Sequence, residues 1–180
     1  MTERVEQAGR YVAVVGPSEP EKPEWLEYAR AVGAELAARR CVLVTGGGGG
    51  VMAEASEGAH RAGGIVLGLL KESDRAGANQ WLTVAVPTGM GEARNALVVN
   101  SSDAVIAVGG NWGTLSEVAR ARVSNKPVAC IDSWGIIRSD GSCTDDELYP
   151  VVARDPVSTA REAVATVLDA GSGWRPAISL

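Results

Sequence analysis

A Rossmann-like α/β fold, a doubly wound parallel sheet of about seven strands with helices on both faces, is predicted by three features of this 180-residue chain. Apolar runs of strand length recur along it. Longer segments with helical periodicity separate them, which is the pattern of repeated βαβ units. Most of the runs are continuously apolar rather than alternating, as strands covered on both faces are. The length suits a single domain over residues 1–180.

The elements follow in order. Strands are predicted at residues 11–16, 41–45, 65–70, 82–86, 104–108, 128–131 and 151–153. The first helix, 24–39, keeps Trp25, Leu26, Ala29, Val32, Leu36 and Ala37 at helical spacing, with Pro23 suited to a helix start. Further helices are predicted at 51–62, 91–100, 114–123 and 158–170, the last with Ser158 as its cap. Residues 133–150 are acidic and glycine-bearing, and are expected to form a long loop that covers a site or meets a partner subunit.

Composition narrows the function. Hydrophobic residues at 46% and charged residues at 22% are near the globular average, which excludes disordered and collagen-like chains. No run approaches the ~20 apolar residues of a membrane span, and residues 1–10 are polar where a signal peptide is apolar, so a cytoplasmic protein is expected. The net charge of −5 has the wrong sign for holding nucleic acid by an overall field. Any anion must therefore be gripped locally. Cys41, Cys130 and Cys143 are odd in number and lack Cys-x-x-Cys spacing, so neither disulfide nor zinc is indicated, and Cys41 and Cys130 are expected in the core.

In a parallel sheet the turns after the strands gather at one edge. Here they are Gly16-Pro17-Ser18, the run Gly46 to Gly50, residues 87–95 and residues 109–114. The last, Gly109-Gly110-Asn111-Trp112-Gly113-Thr114, directly precedes a helix. Its free backbone N–H groups and the helix dipole make an anion site, and a phosphate fits. Asn111 is among the few non-glycine types tolerant of positive φ, and Thr114 is suited to cap the helix or donate to the anion. Thr114-x-x-Glu117 also reads as a capping box that only satisfies backbone donors. Gly48-x-Gly50-x-x-Ala53 matches the dinucleotide fingerprint nominally, but that fingerprint follows the first strand, and no P-loop sequence is present. Arg94 opens a helix on the crevice side, where a guanidinium can fork onto a phosphate or hold a carboxylate, or else remain solvated.

Residues 88–95 and 102–117 together resemble the LONELY GUY superfamily. That superfamily includes cytokinin-activating phosphoribohydrolases, proteins historically labelled lysine decarboxylases, and a branch of molybdenum cofactor carrier proteins. The Met90-Gly91-x-x-Arg94-Asn95 form is most similar to the carrier-like branch. The resemblance runs from about Tyr11 to Ile131 and includes the glycine run followed by Val51-Met52. It implies a Rossmann-like sheet and a homo-oligomer, dimer or tetramer. It also implies that Arg94 and Glu117 match a catalytic arginine and glutamate, and that Gly110, Gly113 and Thr114 match a phosphate turn. With the adjoining turns, the expected binding set is Gly16, Ser18, Gly47, Gly48, Met90, Gly110, Asn111, Gly113 and Thr114. The chain departs from the hydrolases in two places. They show Pro-Gly-Gly before the Gly-Thr pair and Arg-Lys in the other motif, against Gly109-Gly110-Asn111 and Arg94-Asn95 here.

The expected activity is hydrolysis of the N-glycosidic bond of a nucleoside 5'-monophosphate, with no cofactor and no metal. The alternatives are a non-catalytic carrier or sensor of a nucleotide-like or pterin-phosphate ligand, and a structural oligomer with an unused crevice. A pyridoxal decarboxylase needs a Schiff-base lysine. Lys22 and Lys126 lie in polar turns and Lys71 has no accompanying motif, so that activity is discounted. His60 is expected at an exposed position, Asp145-Asp146-Glu147 reads as solvated surface, and Trp112 suits either stacking on a base or sealing a subunit contact.

Overall fold

A computed structural model of the chain describes residues 9–135, 139–141 and 149–170. Seven parallel strands form one sheet: β1 (Tyr11–Val15), β2 (Val42–Thr45), β3 (Ile65–Leu70), β4 (Val84–Pro87), β5 (Ala104–Val108), β6 (Val128–Ile131) and β7 (Tyr149–Val151). Their order is β4-β3-β2-β1-β5-β6-β7. The helices are α1 (Glu24–Ala38), α2 (Val51–Arg61), α3 (Asn95–Asn100), α4 (Trp112–Val123) and α5 (Pro156–Ala170).

The sheet is doubly wound, as expected. Side chains of β1 alternate between two cores: Val12 and Val14 join α1, α2 and α5 on one face, while Ala13 and Val15 join α3 and α4 on the other. Both faces being apolar, the strands carry no polar alternation. Strand order reverses between β1 and β5, so a crevice opens beyond the carboxyl ends of these two strands. Cys41 and Cys130 are buried, as expected of core residues. Cys143 and the 145–147 acidic trio lie outside the described residues.

Several boundaries differ from the sequence reading, each for a local reason. β4 begins at Val84 because Thr83 is occupied ahead of it, its hydroxyl accepting from Val66 N and its amide donating to Val66 O. The helix expected over 91–100 is a 3-10 turn, Gly91–Arg94, leading into α3. α4 begins at Trp112 and its cap is Asn111, whose Oδ1 accepts from Thr114 N at 3.0 Å. Thr114 is therefore capped rather than capping, and Asn111 is extended (φ −120°), not left-handed. α5 is capped by Asp155, which accepts from Ser158 N at 3.0 Å, so Pro156 takes the first helical position and Ser158 is not the cap. β7 starts two residues earlier than expected, because its pairing with β6 runs from Tyr149 against Ala129.

α1 and α2 approach unusually closely because each presents a glycine to the other. A Cβ on Gly33 would lie 2.0 Å from the Ala55 carbonyl oxygen, and one on Gly58 would lie 1.9 Å from the Arg30 carbonyl oxygen. Gly58→Ala adds ~1 kcal/mol of helix propensity but must separate two backbones. It is expected to destabilise the fold by about 1–3 kcal/mol, read from the midpoint of urea unfolding.

Candidate functional site

Glycines after β1 and β2 leave the crevice open. A Cβ on Gly16 would meet Val108 O and Val51 Cγ1, each at 2.5 Å, so only a bare backbone fits between β5 and α2. Beyond it lies a cavity of about 340 Å³, within the range of small-ligand sites. Its walls include Gly16, Ser18, Gly48, Arg94, Asn111, Gly113, Thr114 and Glu117, all expected from the sequence. Gly47, Met90 and Gly110 are not among them. Gly47 turns toward Leu70, Met90 is about half exposed, and Gly110 lies beneath the indole of Trp134. The sequence reading missed Met52, Lys71, Glu72, Glu92 and Asn95, which also line the cavity. For Asn95 the signal was its place in the Arg94-Asn95 pair. For Lys71 and Glu72 it was only their position at the end of β3.

Arg94 is 6% exposed and Glu117 8%, an unusual depth for charged side chains. Arg94 reaches the floor over Gly46: a Cβ there would lie 2.1 Å from its Nη1 and 2.6 Å from Met52 Sδ. Its Nε is buried and, among the described residues, has no hydrogen-bond partner. Thr45 Oγ1, next to Gly46, is likewise buried and unpartnered. Burial holds the Arg94 pKa below its ordinary value, with Glu117, Glu92 and Glu72 opposing that shift. Burial pushes the Glu117 carboxyl up to about 8; Arg94 pulls it back, and Glu92 adds to the rise. No ion pair within 4 Å joins Arg94 to Glu117 among the described residues. Each is desolvated, and each sits in the other's field.

The third wall is the N-terminus of α4. Asn111 takes the Thr114 amide and its carbonyl takes Leu115 N, so the Trp112 and Gly113 amides precede the first intrahelical bond. Both donors lie at the positive end of the helix dipole, and of the two Gly113 lines the cavity. The capping-box reading of Thr114 and Glu117 does not hold, since Glu117 lines the cavity instead.

Lys71 lines the cavity and pairs with Glu92 at 3.2 Å. Lys126 donates to Val99 O at 2.7 Å and Asn100 O at 3.1 Å, tying down the last turn of α3, the helix that follows Arg94. His60 is exposed on α2, its ring 5.6 Å from that of Trp81. None of the described helices is long and apolar enough to cross a membrane.

Because Glu117 titrates near 8 when folded, against an ordinary value of 4.5, the native state holds a proton that the unfolded chain releases between those values. Stability from this group is present at low pH and lost as pH rises toward 8. Glu117→Gln removes the dependence. Its melting temperature relative to the parent protein is expected to rise between about pH 5 and about pH 9, measured by thermal melts across that range.

Known proteins resemble this chain in sequence and in fold. Residues 9–159 match the model of the SLOG cluster4 family. The cytokinin riboside 5'-monophosphate phosphoribohydrolase LOG7 of Arabidopsis thaliana is 30% identical over 180 aligned residues, covering 91% of this chain and 83% of its own. The structure of the molybdenum cofactor binding protein of Rippkaea orientalis superposes with a TM-score of 0.77 at 33% identity, covering 89% of this chain and 98% of that one. The molybdenum cofactor carrier protein of Chlamydomonas reinhardtii follows with 0.74 at 28%, covering 89% and 99%. With the resemblance of residues 88–95 and 102–117 thus matched by a family model over most of its length, the chain belongs to the SLOG cluster4 family, within the LONELY GUY superfamily.

Proposed function

We propose that the crevice binds a nucleoside 5'-monophosphate, or a closely similar phosphorylated ligand, and cleaves its N-glycosidic bond with water. The observation that carries this reading is the placing of a buried carboxyl, Glu117, and a buried guanidinium, Arg94, in one cavity whose third wall is a helix N-terminus. The phosphate sits at the Gly113 amide and the N-terminus of α4, with Arg94 supplying opposite charge. The ribose then lies over the second turn of α4, where Glu117 lines the cavity. As the bond between C1' and the base nitrogen breaks, positive charge grows on the ribose. An ionised Glu117 stabilises that charge and takes a proton from the attacking water, while the base leaves with the bonding electron pair and a proton from solvent. The products are ribose 5-phosphate and the free base.

A second reading has its own support. Asn95 stands in the cavity where the hydrolases carry lysine, and relatives at 33% and 28% identity are named as binding or carrying molybdenum cofactor. A Glu117 that is protonated near neutral pH serves as a hydrogen-bond donor to a phosphate without any chemistry. In that reading the same crevice holds a pterin phosphate intact. Self-association belongs to both readings: Trp112 (77% exposed) and Val123 (84%) leave large apolar side chains of α4 in solvent, and light scattering reports whether a dimer or tetramer forms.

Incubation with a panel of nucleoside 5'-monophosphates and pterin phosphates, followed by analysis of retained and cleaved species, separates the two. Hydrolysis predicts free base and ribose 5-phosphate, and tight retention without cleavage supports the carrier. For the hydrolase, Glu117→Gln is expected to lower kcat by about 10²-fold or more while nucleotide affinity changes little. Because the carboxylate is the working form, kcat/KM should rise with pH through about 8 and level off above it; a flat profile across that range contradicts the role given to Glu117.

A further inference from the structure

We infer that Trp134, just beyond β6, is a positioning residue that holds the Asn111 peptide at the start of α4, and with it the Gly113 amide that lines the cavity. This rests on the phosphate-binding part of the proposed function. Trp134 Nε1 donates to the Asn111 carbonyl oxygen at 3.1 Å. The same oxygen accepts the first intrahelical bond of α4, from Leu115 N at 2.9 Å, so both of its lone pairs are engaged. The carbonyl of Asn111 and the N–H of Trp112 belong to one trans peptide plane and point in opposite directions. A hydrogen bond that fixes the carbonyl therefore fixes the whole Asn111–Trp112 peptide, and with it the start of α4 from which the next amide, that of Gly113, meets the cavity.

The indole is itself held from three sides. Its face lies over Gly110, where a Cβ would come within 2.6 Å of Nε1. Its ring is 5.2 Å from that of Trp112. The chain reaches it through Asp132, a non-glycine residue in the left-handed region (φ 45°). That conformation is over-determined, because Asp132 Oδ2 accepts from Trp25 Nε1 and from Lys22 Nζ, both at 2.7 Å. Trp25 in turn packs against Gly109, where a Cβ would lie 2.2 Å from its ring. Two tryptophans from distant parts of the chain thus clamp the turn between β5 and α4, and Trp134 is the one that hydrogen-bonds the backbone of a cavity-lining residue, Asn111.

The test uses calorimetric titration of the full chain with inorganic phosphate and with adenosine 5'-monophosphate. Trp134→Phe keeps a ring and removes the donor. It is expected to weaken both ligands about 3- to 10-fold, the worth of one neutral hydrogen bond, and to shift the Trp112 amide resonance in ¹⁵N spectra of the unliganded protein. Trp134→Gln, which offers an N–H without the indole, is expected to recover part of the affinity. Unchanged affinity in Trp134→Phe, or equal losses in the Phe and Gln variants, overturns the positioning role while leaving the binding reading in place. Failure of the parent protein to bind either compound overturns the binding reading, and this inference with it.

Discussion

The constraint on which the site depends is the burial of two ionisable side chains that do not close on each other. A guanidinium stays charged under all ordinary conditions, and removing it from water without a partner is costly. Arg94 is nonetheless 94% covered, with an unpartnered Nε, while Glu117 responds to the same desolvation by holding its proton to about pH 8. The crevice thus sets a desolvated guanidinium beside a neutral acid, with Lys71, Glu72 and Glu92 also in its walls. The fold packs Arg94 over Gly46 and Met52 rather than against a carboxylate.

Architecture explains how such a site is held without strain spreading into the core. The two cores meet across β1, whose alternate residues feed each of them, and the switch between β1 and β5 leaves their carboxyl ends uncovered. Backbone approach replaces side chains at the rim. Gly16 lies against Val108 and Val51, and Gly50 (φ 58°) against the carbonyls of Pro17 and Ser18. Since those glycines admit no Cβ, the walls of the cavity are fixed by main chain, and its chemistry is carried by a few long side chains entering from α4, the 3-10 turn and the end of β3.

Much of this was legible from residue order alone. The continuous apolar runs placed all seven strands, with the first, second, third, fifth and sixth within one residue at each end, because strands buried on both faces leave a pattern that no surface element imitates. The motifs at 88–95 and 109–117 brought Arg94, Gly113, Thr114 and Glu117 to the cavity. What failed was cap assignment. Asn111, Thr114 and Ser158 are each competent to cap, and the choice among neighbours turns on a backbone angle that composition does not reveal. Met90 and Gly110 stand off the cavity for a related reason: a residue inside a motif shares its neighbours' sequence context but not their direction.

The sequence by itself determined the sheet, its two apolar faces and the edge at which its glycine turns gather, because periodicity and glycine content are local properties that each segment carries with it. Only the tertiary structure decided that Lys71, Glu72 and Glu92 join the cavity, that Arg94 and Glu117 are buried without pairing, and that Trp25 and Trp134 close on one turn, against Gly109 and Gly110. Those facts concern distances between residues far apart in the chain, and desolvation, which sets the charge state of each group, exists only once the surrounding elements have packed.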